Sequence, residues 1–169
     1  MTGAPGTDQK AISPGAFRSL MSEFPSGVTV VTAAEEGRPY GMTCSALCSL
    51  TVAPATLLVC LRAESLTLAA LLRGGTFAVN VLHSKARSVA EIFGTGNGVP
   101  ERFDLVRWSP GPSGPHLPHD AHAIADCRVS GTADGGTHVV VFGEVFDVTQ
   151  RSGHDPLLYA RRSYGSWQE

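Results

Sequence analysis

The chain has 169 residues, 43% of them hydrophobic and 17% charged, with thirteen basic against fifteen acidic residues and a net charge of -2. That length suits one domain of ordinary size, and the composition is too apolar and too weakly charged for wholesale disorder. No basic stripe interleaved with aromatics points to nucleic acid, and the longest apolar run, residues 53–61, is far too short to cross a bilayer and is broken by Thr56.

Residues 1–10 are polar and glycine-containing, so residues 1–12 are expected to form a flexible arm ahead of a domain over residues 13–169. No signal peptide is expected. Residues 13–22 predict a helix. Ser13 is a good N-cap, Pro14 suits the first helical position, and Phe17, Leu20 and Met21 fall at i, i+3, i+4. Phe24-Pro25-Ser26-Gly27 ends it, residues 28–34 are β-branched and strand-like, and Glu35-Glu36-Gly37-Arg38-Pro39 reads as a charged hairpin turn.

Residues 41–50 read as one strand of small residues, where a buried strand normally carries larger apolar side chains. Small residues let a flat ligand approach the backbone. Thr43 and Ser45 alternate with Met42, Cys44 and Ala46 and so share a face. Their hydroxyls suit an amide-rich heterocycle or a phosphate; the commoner fate of such residues is a solvated surface. A strand is expected at 56–61 after Pro54, a helix at 65–72 closed by Gly74-Gly75, a strand at 76–82 and a helix at 85–93.

Residues 94–98 and 109–118 are Gly/Pro-rich loops. Strands follow at 123–130 and 138–149, with Gly143 marking a bulge or close approach, and then a tail carrying Leu157, Tyr159, Tyr164 and Trp167. Six or seven strands with two or three short helices, not regularly alternating, favour a mainly β fold over a parallel doubly wound sheet. A small antiparallel barrel with peripheral helices fits this pattern.

Gly94-Thr95-Gly96-Asn97-Gly98 lacks dinucleotide-loop spacing and follows a helix rather than a strand. His116, His119 and His122 recur every third residue, but no helix aligns them there, and no metal site is expected. Cys44, Cys48, Cys60 and Cys127 show no zinc spacing and read as free thiols, consistent with a reducing cytoplasm. His138 follows a Gly135-Gly136 turn at a strand mouth, where a histidine either reaches a ligand or is simply solvated. Tyr159 and Tyr164 either stack on a ring or pack into a core or interface.

Five segments together resemble the flavin reductase-like family, with the FMN-binding split-barrel fold. They are Phe24-Pro25-Ser26-Gly27-Val28-Thr29-Val30-Val31-Thr32; Gly41-Met42-Thr43-Cys44-Ser45-Ala46 with Ser49 and Pro54; Phe77-Ala78-Val79-Asn80-Val81-Leu82; Gly136-Thr137-His138 leading to Gly143-Glu144-Val145; and Pro156-Leu157-Leu158-Tyr159 with Tyr164. The resemblance spans residues 17–164. Thr137 stands where the family pattern has an acid, and Ala55 where it has a second proline.

The resemblance implies an antiparallel split β-barrel that takes hydride from NADH, or NADPH, onto FMN or FAD. It implies reduced flavin supplied to a partner monooxygenase, and a homodimer. It implies that Gly41, Met42, Thr43, Cys44, Ser45 and Ala46 line the isoalloxazine. Arg62, Ser65 and Thr67 would hold the flavin phosphate, with Phe77 and Asn80 near the same pocket. His138 would contact the nicotinamide nucleotide, helped by Tyr159 and Tyr164. Alternatives on the same barrel are a pyridoxamine-phosphate-oxidase-like or deazaflavin-dependent enzyme, and a non-catalytic flavin carrier or sensor.

Overall fold

A computed structural model of the chain describes residues 11–96 and 98–167; the arm expected at the N-terminus falls almost wholly outside them. Ser13 caps α1 (Pro14–Ser22), its hydroxyl accepting the Ala16 amide at 3.2 Å. The chain then forms β1 (Ser26–Gly27), β2 (Thr29–Glu35), β3 (Arg38–Cys44), β4 (Leu47–Val52), β5 (Ala55–Arg62), α2 (Leu66–Gly74), β6 (Thr76–Leu82) and α3 (Arg87–Gly94). A 3-10 turn (Pro100–Leu105) precedes β7 (Ser109–Pro110), β8 (Pro115–His116), β9 (Ala121–Asp134), β10 (His138–Gln150), β11 (Leu157–Ala160) and β12 (Ser163–Ser166).

Seven strands pair antiparallel in the order β3-β2-β6-β9-β10-β5-β4. The two outermost strands, β3 and β4, are consecutive in the chain and are joined by Ser45 and Ala46 alone. The Cys60 amide of β5 donates to the Ala46 carbonyl at 3.0 Å, extending the β4–β5 ladder into that link, and the two-residue link brings the edges of the sheet together. This is the antiparallel split barrel expected from the sequence. A small sheet, β1-β11-β12, is tied to it by the Val28 amide, which donates to the Leu157 carbonyl at 3.0 Å.

Strand β2 is buried on both faces, and the two-residue period sorts its side chains. Val31 and Ala33 enter the barrel core with Val59, Leu61, Leu71 and Phe77; Val30 enters an outer core with Leu82, Phe93, Phe103 and Leu157. Each such side chain contributes roughly 1.5–3 kcal/mol by leaving water. Helix α2 ends at Gly75, whose φ of +69 is left-handed and whose amide caps the Leu71 carbonyl at 2.9 Å.

Three expectations change. Residues 41–50 are two strands, because the chain crosses there from one sheet edge to the other. Strands β9 and β10 are longer than expected and form the longest hairpin of the barrel. The expected helix at residues 85–93 begins at Arg87. The expected irregularity at Gly143 is present: the β9–β10 register shifts between Phe142 and Gly143, where the Phe77 ring packs against the bare Cα.

Candidate functional site

The crossing from β3 to β4 opens one cleft. It is a hollow of about 200 Å³ lined by Val28, Thr43, Ser45, Gly94, Tyr159 and Tyr164. Thr43 and Ser45 lie two residues apart and reach it from the same side, as their alternation requires. The opposite wall is the β11–β12 hairpin, whose register places Tyr159 directly across from Tyr164. Their rings meet edge to face with centroids 5.1 Å apart. The guanidinium of Arg87 stands 5.6 Å above the Tyr164 ring. Burial, then the charges of Glu91 and the neighbouring Tyr159, push the Tyr164 phenol above its ordinary range, with Arg87 opposing. Tyr164 therefore stays a neutral hydroxyl-bearing ring across the physiological range.

A second cleft, of about 420 Å³, lies where β5 leads into α2 and β9 turns into β10. It is lined by Arg62, Ala63, Glu64, Gly136, Thr137 and His138. His138 opens β10 and sits opposite Arg62 in the β5 register. The Ala63 amide donates to the Thr137 carbonyl at 3.1 Å and fixes the two loops together. Thr137 Oγ1 lies 3.0 Å from His138 Nδ1, within hydrogen-bond distance of the ring.

Several residues expected at the ligand have structural contacts of their own. Gly41 is small because the rings of Phe93 and Phe103 press on it: a Cβ there would come within 3.0 Å of both. Met42 packs along the barrel core. Cys44 is buried, its thiol donating to the Ala46 and Cys60 carbonyls at 3.6 Å, and burial pushes that thiol up to about 11. Thr43 spends its hydroxyl on the Ala90 carbonyl of α3, at 2.7 Å, which leaves its other atoms to face the cleft. Ser45 and Ala46 are exposed.

Phe77 and Asn80 do not belong to either cleft. Phe77 is fully buried in the barrel core. The Asn80 amide nitrogen donates to the Val30 carbonyl, the Thr32 hydroxyl and the Pro115 carbonyl at 3.1–3.3 Å, and its oxygen accepts the Leu117 amide at 2.8 Å. It is a clamp on the loop before β9, wholly buried and with both amide donors engaged. Ser65 is the N-cap of α2, its hydroxyl accepting the Leu68 amide at 3.0 Å.

Thr67 differs. Its hydroxyl is buried in the first turn of α2, under the backbone of Gly98, with no hydrogen-bond partner among the described residues. An orphaned hydroxyl beside the free amides of a helix N-terminus, with Arg62 nearby in sequence, fits an anionic group such as a phosphate. The donor set therefore suits a phosphorylated flavin.

Sequence reasoning missed a buried cluster outside both clefts. The Asp126 carboxylate, 1% exposed, accepts from the Ser113 amide at 3.2 Å and from its hydroxyl, and lies 3.0 Å from His116 Nε2. The signal was present as an aspartate set between Ala123, Ile124, Ala125 and Cys127, a position that requires partners. His116 is thus a structural partner of Asp126, separate from His119 and His122.

Residues 21–168 match the family model described as a flavin reductase like domain. The chain is 49% identical over 154 residues to a flavin reductase (NADPH) of Lentzea aerocolonigenes, across 89% of this chain and 88% of that protein. It is 33% identical over 164 residues to the reductase subunit of a flavin-dependent monooxygenase from Rhodococcus jostii, across 97% of this chain and 83% of that one. Among solved structures, a Streptomyces globisporus NADH:FAD oxidoreductase in complex with NAD and FAD fragments superposes with a TM-score of 0.84 at 27% identity, over 94% of this chain and 97% of that chain.

Proposed function

The chain belongs to the flavin reductase-like family, and from that premise we propose that it oxidises NADH or NADPH, reduces FMN or FAD, and supplies reduced flavin to a separate monooxygenase. The observation that carries the assignment to particular residues is the pair of clefts, one aromatic and hydroxyl-lined, the other bearing Arg62 and His138. The bound flavin supplies the redox chemistry, accepting hydride from a dihydronicotinamide.

What the protein contributes is position. Val28, Thr43 and Ser45 offer a wall for a flat ring, and exposed backbone from Ser45 to Ala46 offers amides to its polar edge. The first turn of α2, with Thr67 and Arg62, holds the phosphate. His138 contacts the nicotinamide nucleotide and Tyr159 and Tyr164 close the far side. Neither role needs a protein acid or base at the reacting atoms, which fits clefts without a paired carboxylate.

The same reading makes the protein a homodimer. Strand β4 is exposed along its whole length and carries Leu47, Leu50 and Val52; Phe146 and Val148 of β10 add to the exposed apolar surface. An exposed apolar edge strand in a stable protein calls for a partner. A cytoplasmic location is consistent with the four free cysteines and with the absence of a helix among the described residues that could cross a membrane.

Steady-state oxidation of NADH and NADPH with FMN, FAD and riboflavin as acceptors tests the activity. Thr67→Val tests the phosphate site. Removing an orphaned buried hydroxyl leaves stability unchanged or raised, whereas affinity for FMN falls relative to riboflavin. Equal affinities of the variant and the parent for FMN would remove Thr67 from the site.

A further inference from the structure

Three imidazoles meet at the root of the β11–β12 hairpin. His83 follows β6, His122 lies in β9, and His154 belongs to the connection from β10 to β11. The His83 and His154 rings stack with centroids 4.9 Å apart and planes 21° from parallel. His83 is 8% exposed and both its nitrogens are used: Nδ1 accepts the Lys85 amide at 3.2 Å, and Nε2 lies 2.9 Å from the His119 carbonyl. Those two bonds specify a neutral ring with its proton on Nε2. His122 Nδ1 is buried without a hydrogen-bond partner among the described residues.

The backbone around these rings fastens the hairpin. The Ser84 amide donates to the Asp155 carbonyl at 2.8 Å, His83 bridges Pro156, and the Arg151 amide donates to the His122 carbonyl at 2.8 Å. The hairpin begins one residue after Pro156 and carries Tyr159 and Tyr164 into the aromatic cleft.

We propose that the cluster of His83, His122 and His154 forms a pH-dependent latch, which positions the Tyr159–Tyr164 hairpin against the barrel at neutral pH and releases it in mild acid. The effect on catalysis rests on the reading of that cleft as the flavin site; the latch itself does not. His83, His122 and His154 are positioning residues, since none lines the cleft.

The charge balance supports the direction. The groups on the packed elements are Lys85 after β6, His119 and Asp120 before β9, His122 in β9, Arg151 after β10, and His154 with Asp155 before β11. Burial, with the neighbouring His83 and His154, holds His122 below the ordinary imidazole range. A histidine lowered in the folded state contributes stability that is complete above the unfolded value of about 6.5 and lost as pH falls through the lowered value. Burial raises Asp120 above the ordinary carboxylate range, with His83 and His119 opposing. Arg151 donates to the Pro118 carbonyl and adds positive charge to the same side.

Hydrogen exchange read by mass spectrometry on the full-length protein tests the latch without reference to turnover. Exchange in residues 155–166 is compared with that in residues 123–133 of β9 in the same spectra, which removes the intrinsic pH dependence. Between about pH 7.5 and about pH 5.5, the wild-type hairpin loses protection roughly tenfold relative to β9. His154→Phe keeps a stacked ring without a titratable nitrogen and abolishes that selective loss, as does His122→Leu if it folds. A wild-type hairpin as protected in acid as at neutral pH overturns the latch, and so does an undiminished acid response in His154→Phe. On the wild-type enzyme, the KM for flavin rises over the same interval with kcat changing less. Selective opening of the hairpin with a flat KM sustains the latch and overturns the placement of flavin beneath the tyrosines.

Discussion

Two polar junctions hold loops against the barrel, and they are built on opposite principles. At Asn80, an amide without a titratable proton uses both its donors and its acceptor, wholly out of solvent. At His83, His122 and His154, one buried nitrogen has no hydrogen-bond partner among the described residues and one ring stands exposed. A saturated amide network is strong and indifferent to pH, because every group that left water found a replacement bond. An imidazole junction is conditional, because a proton changes both its bonding capacity and its charge. The first kind pins the interior of the barrel. The second lies beside the hairpin that borders the aromatic cleft, where release has a functional consequence.

Breaking the saturated junction has the largest expected effect. Asn80→Ala strands the Leu117 amide, takes a donor from the Thr32 hydroxyl, which keeps its own bond to the Pro115 carbonyl, and costs roughly 2–4 kcal/mol. A denaturant titration reads the loss, and it is the same at pH 6 and pH 8. A drop confined to acid would mean that the two junctions do not differ in the way described.

Next is Gly41→Val. It drives a branched side chain into Phe93 and Phe103 and costs about 1–3 kcal/mol through overpacking. Flavin affinity in the fraction that remains folded falls only if α3 moves, since Gly94 at its end borders the cleft. A variant as stable as the parent but unable to bind flavin would restore Gly41 to the ligand surface.

Smaller effects belong to the exposed clefts. His138→Ala raises the KM for the nicotinamide nucleotide about tenfold, with flavin affinity changed less and stability within about 0.5 kcal/mol of the parent. Equal losses for the two ligands would refute the separation of the clefts. The smallest test is chemical. With its thiol held protonated up to about 11, Cys44 resists alkylation at pH 8 in the native protein and reacts once the chain unfolds. Rapid native labelling of Cys44 would show that the β3 edge opens.

The difference between Asn80 and Ser45 also shows where the sequence is readable. Both are polar residues beside apolar ones, and both were candidates for the same ligand. Ser45 falls where a strand ends and stays exposed; Asn80 falls in a strand flanked by two others, and its amide is consumed by neighbours 35 to 50 positions away. Sequence spacing carries the local face of a residue but not the identity of distant chain that covers that face. The same limit explains Gly41, whose smallness answers to Phe93 and Phe103.

From the sequence alone came the cap at Ser13, the turn at Gly75, the strand alternation that puts Thr43 and Ser45 on one side, and the mainly β class. All depend on backbone dihedrals and periodicity within a few residues. Only the tertiary structure decided that residues 41–50 divide into the two edges of a closed sheet, that Phe77 and Asn80 are interior, and that three histidines from separate parts of the chain converge. Those facts arise from long-range pairing, in which the partner of each buried polar or apolar group lies far along the chain and is fixed only when the barrel closes.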